Sequence, residues 1–289
     1  MSGADLVLLL ANLVYATSYV AARVTLDAVP PATLAFLRCA IGGLLLLPLL
    51  RRHGLAPTAP GDHLRIAAMG VLGFGAAFAL SHWGLERSTA ANAALLIIVE
   101  PITIILLAPA MLAERLRGRE AAGAAVALAG TVLVVADGIP GVSASLAPNW
   151  RGDLLLVAAG VAYGAYSLIG RDVLRRHPSV PVTVFSIAWG AGALAPLAAL
   201  EWGSGRRPVW TLTALLGVLY LAVVITGLAY LVWNWALERV PAPRAAVFLN
   251  VQPIAGAVLG VVLLGDPVSA FTALGGALIV GGLTLTARR

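Results

Sequence analysis

The chain alternates long apolar runs with short segments that carry charges, proline or glycine, and ten such runs follow one another. A helix needs about 20 apolar residues to cross a hydrocarbon core about 30 Å thick. Taken as spans, the runs are Leu6–Leu26, Pro31–Leu50, Leu64–Gly84, Thr89–Ala113, Ala121–Ala136, Gly152–Leu174, Val182–Leu200, Thr211–Leu237, Ala245–Leu264 and Val268–Ala287. The fifth run is the shortest and is rich in alanine and glycine. The pattern predicts an all-α integral membrane protein with ten transmembrane helices.

The composition agrees with a surface that faces lipid. Of the 289 residues, 60% are hydrophobic and only 11% are charged, whereas a soluble domain has about 25% charged residues. The net charge of +6 does not indicate a nucleic-acid partner, because the basic residues are scattered over short loops. The single cysteine, Cys39, lies in an apolar run, so neither a disulfide nor a cysteine metal site is expected. No metal and no cofactor are predicted.

The nineteen arginines, which are the only basic residues besides histidine, predict the orientation of the chain. If the N-terminus is cytoplasmic, thirteen arginines fall on the cytoplasmic side, four fall on the opposite side, and Arg23 and Arg38 lie within helices. Such a bias is typical of cytoplasmic loops. It requires an even number of spans with both termini inside, so a multi-pass membrane protein with cytoplasmic termini is predicted.

The chain also contains an internal repeat. Trp83-Gly-Leu-Glu86-Arg87 recurs 152 residues later as Trp235-Ala-Leu-Glu238-Arg239. The same offset pairs Pro101 with Pro253 and Glu100 with Gln252, and an offset of 148 pairs Tyr15 with Tyr163 and Arg23 with Arg171. Each copy holds five spans, an odd number, so the second copy must be inverted relative to the first. We predict two repeats, residues 1–142 and 143–289, an arrangement typical of secondary transporters with a substrate site between the repeats.

These residues resemble the EamA family of the drug/metabolite transporter superfamily. The similarity rests on the five-plus-five duplication and on the end of each half, where a mid-helix proline (Pro101, Pro253) is followed by small residues, an acid (Glu114, Asp266) and a glycine-rich last helix. Pro30-Pro31 followed by Phe36-Leu37-Arg38 is similar to the family's second helix. The resemblance covers almost the whole chain. It implies a bacterial inner-membrane exporter of amino acids and related metabolites, of the aromatic amino-acid exporter type.

Glu100 is the principal candidate for a functional side chain. It lies about eleven residues into its span, roughly 16 Å deep at 1.5 Å per residue, where an ionisable group is costly. Pro101 removes a backbone N–H directly after it, and Gln252-Pro253 is the repeat counterpart, so both halves have an acceptor beside a helix irregularity. Three roles stay open for Glu100. It could bind the ammonium group of a substrate, carry a coupling proton, or only hydrogen-bond a neighbouring helix.

Other polar and aromatic residues extend the candidate site. Asn12, Tyr15, Tyr19 and Arg23 follow one another at helical spacing, Asn92, Glu100 and Thr103 share a predicted face, and Arg38 lies inside its span, where it could hold a carboxylate or pair with Glu100. Tyr163, Tyr166, Tyr230 and Trp233 are deeper than an interfacial belt requires. His82 precedes Trp83 at the outer end of its span and could titrate between pH 5 and 8. The resemblance to aromatic amino-acid exporters links a histidine at this position to substrate handling.

Two transport functions and a channel are compatible with these features. The leading hypothesis is an exporter of aromatic or other neutral amino acids by alternating access, in which a monomer is sufficient and protons are a candidate coupling partner. The alternative is a proton-coupled exporter of cationic drugs, in which Glu100 and aromatic walls would suffice, although Arg38 would repel cations. An intramembrane enzyme is not indicated, because the chain has neither clustered aspartates for Mg²⁺ nor an HExxH pattern. A channel would differ by transport that does not saturate.

Overall fold

The computed structural model describes residues 3–53, 60–112, 118–137, 139, 149–239 and 251–287, and these residues form helices without any strand. The α-helices are α1 (Gly3–Leu26), α2 (Pro31–His53), α3 (Pro60–Met69), α4 (Ala77–Glu86), α5 (Ala90–Leu96), α6 (Val99–Leu112), α7 (Gly118–Asp137), α8 (Trp150–Leu174), α9 (Ser179–Gly203), α10 (Leu212–Leu219), α11 (Tyr230–Arg239), α12 (Val251–Leu264) and α13 (Ala270–Ala287). A π-helical segment, π1 (Gly70–Ala76), joins α3 to α4, and a second, π2 (Tyr220–Ala229), joins α10 to α11.

These elements confirm the predicted fold class. Eight helical stretches are long and apolar enough to cross a membrane, and two shorter apolar helices, Val251–Leu264 and Ala270–Leu285, complete the ten within the described residues. The fifth span, predicted as a short run, is a full helix of 20 residues, Gly118–Asp137. Residues 245–250 of the ninth predicted span, Ala113 of the fourth, and the predicted repeat boundary at 142/143 lie outside the described residues.

The fourth span is two helices, because its backbone is interrupted before Glu100. α5 begins at Thr89, whose side chain accepts a hydrogen bond from Asn92 N at 3.0 Å and so caps the helix. α5 ends at Leu96, and α6 begins at Val99. Pro101 has no N–H to offer to the carbonyl of Ile97, and Glu100 N donates to that oxygen instead, at 2.9 Å. Glu100 is therefore the second residue of α6, and the direction of its side chain follows α6 and not α5.

Each half packs one of its long helices against the π-helical segment of the other half. α9 of the second half packs against π1 of the first, and α2 of the first packs against π2 of the second. A Cβ placed on Gly42 would lie 2.7 Å from the Ala222 carbonyl oxygen, and one placed on Gly190 would lie 3.0 Å from the Gly70 carbonyl oxygen. These are the same contact in the two repeats, because the offset of 148 relates Gly42 to Gly190 and the offset of 152 relates Gly70 to Ala222. Both contacts require glycine, Gly42 in α2 and Gly190 in α9, because a side chain would meet the facing carbonyl oxygen.

The last helices of the two halves show a second pair of equivalent contacts. In α7 and α13, a Cβ on Gly130 would meet the Gly275 carbonyl oxygen at 2.5 Å, and a Cβ on Gly282 would meet the Gly123 carbonyl oxygen at 2.5 Å. The offset of 152 converts the first contact into the second, since 130 becomes 282 and 123 becomes 275. Small residues let helix backbones approach in this way within a bilayer. The pair therefore lies on the pseudo-two-fold axis that relates the halves.

Polar contacts between the halves lie at both ends of the bundle. On side A, where α3 and α9 begin, Asp62 accepts from His177 Nε2 at 2.7 Å and pairs with Arg176 at 3.1 Å. On side B, where α2 and α8 begin, the buried Glu201 carboxylate accepts from the backbone nitrogens of Ala32 at 3.0 Å and Thr33 at 2.9 Å. Glu201 thus caps a helix of the other half, as anions do at helix N-termini.

Candidate functional site

A central cavity lies between the halves and encloses about 790 Å³ of empty space, counted out to its opening. Helices α1, α2, α4, α8, α11 and α12, the segment π2, and the region where α5 meets α6 all contribute to its wall. The lining residues are Tyr15, Ser18, Tyr19, Ala22, Arg38, Ser81, His82, Leu85, Ile97, Glu100, Tyr163, Tyr166, Ser167, Ile225, Tyr230, Trp233 and Gln252.

Ten of the eleven residues predicted to bind substrate line this single cavity. They are Glu100, Arg38, Tyr15, Tyr19, His82, Tyr163, Tyr166, Tyr230, Trp233 and Gln252. Three lining serines, Ser18, Ser81 and Ser167, were not predicted, because burying a serine in a helix costs little free energy. The repeat could have identified them, because its offsets pair Ser18 with Tyr166, Ser81 with Trp233 and Ser167 with Tyr19.

The cavity lies on the pseudo-two-fold axis, because both members of several repeat pairs line it. These pairs are Tyr15 and Tyr163, Ser18 and Tyr166, Tyr19 and Ser167, Ser81 and Trp233, and Glu100 and Gln252. Substrate sites of inverted-repeat transporters lie at this interface. The position of the cavity thus follows from the symmetry of the chain.

Glu100 is partly exposed to the cavity, at the start of α6. Its Oε1 accepts a hydrogen bond from Ser167 Oγ on α8 at 2.9 Å. Helix α8 comes close here because it has glycine on the facing side: a Cβ on Gly164 would lie 3.0 Å from the Glu100 carbonyl oxygen. The carboxylate therefore joins the two halves and still faces the space between them.

Gln252 is the counterpart of Glu100, and a chain of hydrogen bonds fixes its orientation. Asn12 Nδ2 donates to the Leu8 carbonyl at 2.8 Å, and Gln252 Nε2 donates to Asn12 Oδ1 at 2.7 Å. Tyr19 OH in turn donates to Gln252 Oε1 at 3.4 Å. The contact between Tyr19 and Gln252 is the repeat equivalent of the contact between Ser167 and Glu100. Each half thus presents one acceptor oxygen beside a hydroxyl.

Of the two roles left open for Arg38, pairing with Glu100 is not the one seen in this structure. Its Nε donates to Thr226 Oγ1 at 3.2 Å, its NH1 donates to His82 Nε2 at 2.9 Å, and its guanidinium carbon lies 4.3 Å from the centre of the Phe78 ring. These partners are neutral and hold the guanidinium from three directions. Among the described residues, no carboxylate lies within ion-pair distance of Arg38. The buried guanidinium beside the cavity therefore has no acidic partner in the described part of the chain.

His82 is buried and receives a hydrogen bond from Arg38. A guanidinium only donates, so Nε2 accepts and the ring proton lies on Nδ1. Within the described part of the chain, Nδ1 has no hydrogen-bond partner, and the same holds for the buried hydroxyl of Tyr15. Two unpartnered polar groups beside one cavity are what a bound polar molecule would satisfy.

Aromatic rings form a continuous wall behind the polar groups. Tyr230 is at its centre, with ring centroids 5.4 Å from Tyr15, 4.9 Å from Phe74 and 6.5 Å from Tyr166. Most of these pairs meet edge to face, a geometry that aromatic rings favour. Phe74 and Phe78 were not predicted, because single phenylalanines in apolar helices carry no signal. The wall gives the cavity a large, rigid apolar surface.

Asn92 is the predicted site residue that the cavity leaves out. Its Nδ2 donates to Asp153 Oδ2 at 3.2 Å, near side B, and Ser88 Oγ also donates to this buried carboxylate. Thr103, predicted on the same face, is buried against Gly164. The prediction of one shared face assumed a continuous helix, whereas Asn92 belongs to α5 and Glu100 to α6, with an interruption between them. Asn92 instead joins the halves at side B.

The chain was compared with known proteins. The model of the EamA-like transporter family matches residues 2–136 and 150–288. A Streptantibioticus cattleyicolor protein named "Probable terminal-alkyne amino-acid exporter" is 28% identical over 100% of this chain and 95% of its own. An Escherichia coli K12 protein named "Probable amino-acid metabolite efflux pump" is 26% identical over 98% of this chain and 94% of its own.

The fold agrees with these matches. One crystal structure of another protein superposes with a TM-score of 0.67 at 27% identity, covering 99% of this chain and 96% of that chain. The family model matches the chain twice, once in each half, as the inverted repeat requires. A central cavity between two five-helix halves is the site expected of such a transporter. This multi-pass membrane protein belongs to the EamA-like transporter family.

Proposed function

We propose that this transporter exports neutral amino acids, aromatic ones among them, and related small zwitterions by alternating access. The observation that carries the proposal is that the cavity holds one carboxylate, Glu100, and one guanidinium, Arg38, which are not paired with each other. A zwitterion needs both charges and an apolar surface for its side chain. Leaving two buried opposite charges unpaired is costly unless a ligand completes them.

Each part of an amino acid has a complementary group in the cavity. The ammonium group is met by Glu100, with Gln252 Oε1 as a second acceptor from the other half. The carboxylate is met by the N–H groups of Arg38 that the protein leaves unused. The side chain lies against the wall centred on Tyr230. The names of the two relatives, which refer to amino-acid export, support this substrate class.

Export of cationic drugs is the second candidate function. Glu100 and the aromatic wall would suit an organic cation. Arg38 argues against it, because its charge is not neutralised by any carboxylate among the described residues, and it lines the same cavity. A cation would have to approach this guanidinium in a low-dielectric space. We therefore favour the zwitterion.

For the orientation, we propose that side A is cytoplasmic and that the protein lies in a bacterial inner membrane with both termini inside. The count of thirteen arginines against four supports this choice. We also propose that Glu100, which is the deepest acid of the sequence, releases and takes up a coupling proton as the cavity changes sides. A group that binds both substrate and proton would link the two movements directly.

Alternating access then requires the halves to separate at one side while they stay joined at the other. On side B the halves are joined by buried contacts, as in the capping of α2 by Glu201 and the contact of Asn92 with Asp153, and by the partly exposed ion pair of Glu86 with Arg206. On side A the contacts are ionic and most of their members are partly exposed: Arg65 pairs with Asp172 at 2.6 Å, and the buried Asp62 pairs with Arg176 and His177. We infer that the side A network is the contact that opens to the cytoplasm.

Weakening the side A network should therefore expose the cavity to side A. We expect Asp62→Asn to accelerate thiol labelling of a cysteine placed at Ser18, which lines the cavity, roughly threefold when the reagent is applied from side A. The native Cys39 is first replaced by alanine, and the label is a water-soluble maleimide on oriented membrane vesicles. The acceleration reflects loss of the pairs with Arg176 and His177.

The matched control is Asp27→Asn. Asp27 pairs with Arg23 at 2.7 Å, but both residues belong to one half and the pair is exposed. This change should leave the labelling rate as it was. Equal effects of the two variants, or none at Asp62, would show that the side A network does not restrain opening.

Counterflow in proteoliposomes tests the proposed function itself. Vesicles loaded with unlabelled phenylalanine, tryptophan, tyrosine, threonine or methionine should accumulate the labelled amino acid, with saturation, and should not accumulate a quaternary ammonium dye. Accumulation of the dye alone would favour the drug exporter. Uptake that neither saturates nor exchanges would indicate a channel.

A further inference from the structure

Thr226 makes two hydrogen bonds from a fully buried position in π2. Its Oγ1 donates to the Leu221 carbonyl at 2.9 Å, five residues earlier, and accepts from Arg38 Nε at 3.2 Å. The donor of the second bond belongs to the other half of the protein. The first bond fixes the hydroxyl proton, so the oxygen lone pair is committed to Arg38.

The bond to Thr226 determines which N–H groups Arg38 can offer to a ligand. A guanidinium has five N–H groups in one plane. Thr226 takes the Nε–H, and His82 takes one N–H of NH1. The three that remain are on the terminal nitrogens, and the Phe78 ring covers one face of the plane. A carboxylate can therefore meet Arg38 only at its terminal nitrogens.

The repeat shows that this polar contact is present only once. The offset of 148 relates Arg38 to Ser186, and the offset of 152 relates Phe74 to Thr226. Ser186 and Phe74 therefore occupy the equivalent positions in the other pair of helices. Ser186 donates to the Val182 carbonyl of its own helix, and Phe74 packs against aromatic rings. The equivalent pair of helices therefore packs without a hydrogen bond between these two positions. The pair departs from the symmetry where the cavity carries its positive charge.

We propose that Thr226 is a positioning residue that sets the specificity of Arg38 for the carboxylate of the substrate. The inference rests on the proposed function, in which Arg38 binds that carboxylate. Without the acceptor at Thr226, the Nε–H in a dry interior must find another partner. The guanidinium can then rotate to give its Nε–H another acceptor, and its terminal N–H groups no longer point at the substrate carboxylate.

The experiment compares a substrate with and without its carboxylate. For Thr226→Val in proteoliposomes, we expect the KM for labelled L-phenylalanine to rise about tenfold or more, with a smaller change in kcat. The KM for L-phenylalaninamide, which lacks the carboxylate, should stay within about twofold, because the lost bond acts only through Arg38. Thr226→Ser keeps the acceptor and should restore the KM for phenylalanine.

Thr131→Val is the matched control. Thr131 is equally buried, but its hydroxyl bonds the Ala127 carbonyl of its own helix and does not face the cavity. This variant should transport both compounds normally. If Thr226→Val does not reach the membrane, Thr226→Cys, which keeps only a weak acceptor, serves the same comparison.

Arg38→Gln separates the inference from the proposed function. If Arg38→Gln affects phenylalanine and its amide alike, Arg38 does not bind the carboxylate and the zwitterion proposal fails. If Arg38→Gln affects only phenylalanine but Thr226→Val affects both compounds alike or neither, the positioning role is overturned while the proposed function stands. A selective loss in both variants supports both statements.

Discussion

Glu100→Gln is expected to reduce amino-acid transport at least about 30-fold. Removing one partner of a buried, hydrogen-bonded charge pair costs about 2–5 kcal/mol, and the lost partner here is the carboxylate that meets the substrate ammonium. Glutamine keeps the size of the side chain and the hydrogen bond from Ser167 Oγ. The loss should therefore be visible as lower uptake of labelled phenylalanine at an unchanged amount of protein in the membrane.

Glu86→Gln is the matched control for this change. Glu86 lies at the end of α4, where it bonds Arg206 and pairs with Arg87 at 3.1 Å, and it does not line the cavity. Its replacement should leave uptake near the normal rate. Residual transport in Glu100→Gln should no longer depend on pH. A pH dependence equal to that of the unmodified protein would remove the proton role from Glu100, and normal uptake would remove the substrate role as well.

The second large effect is expected on folding. Gly282→Leu should destabilise the protein by about 3 kcal/mol, the upper end of the usual cost of overpacking. A Cβ on Gly282 would lie 2.5 Å from the Gly123 carbonyl oxygen and 2.6 Å from Ala127 N, so even alanine cannot enter without separating α7 from α13. The measurement is the midpoint of thermal unfolding of the purified protein in detergent.

Gly281 gives a control one residue away. A Cβ on Gly281 would meet nothing within 4 Å, and the position is exposed on the outer face of α13. Gly281→Leu adds an apolar side chain towards lipid and should leave the midpoint unchanged or slightly higher. The packing account would be contradicted if the two variants unfolded at the same temperature.

The fold could be predicted from the sequence because its causes are local. Apolar runs of the length of a bilayer set the helices, and the offsets of 152 and 148 set their inverted arrangement. The deep polar residues were also informative, since each costs free energy unless it has a role. For this reason the sequence alone predicts Glu100, Arg38 and the tyrosines as candidate site residues.

Other features depend on contacts that no local pattern carries. The π-helical segments arise where Gly70 and Ala222 meet glycines of a distant helix, which a helical period does not reveal. The partner of Arg38 could not be chosen from the sequence, because Thr226 is 188 residues away and gives no polar signal of its own. The contact of Asn92 with Asp153 could not be predicted either, because the two residues are 61 positions apart in the chain.

The most direct test of the central claim is protection of the cavity by substrate. A cysteine at Ser18, in a protein whose Cys39 is replaced by alanine, should be labelled by a water-soluble maleimide, and saturating L-phenylalanine should slow that labelling at least about fivefold. A cysteine at Ser204, at an exposed end of α9, should be labelled at the same rate with or without phenylalanine. Labelling at position 18 that every amino acid leaves unchanged would contradict a substrate site between the two halves.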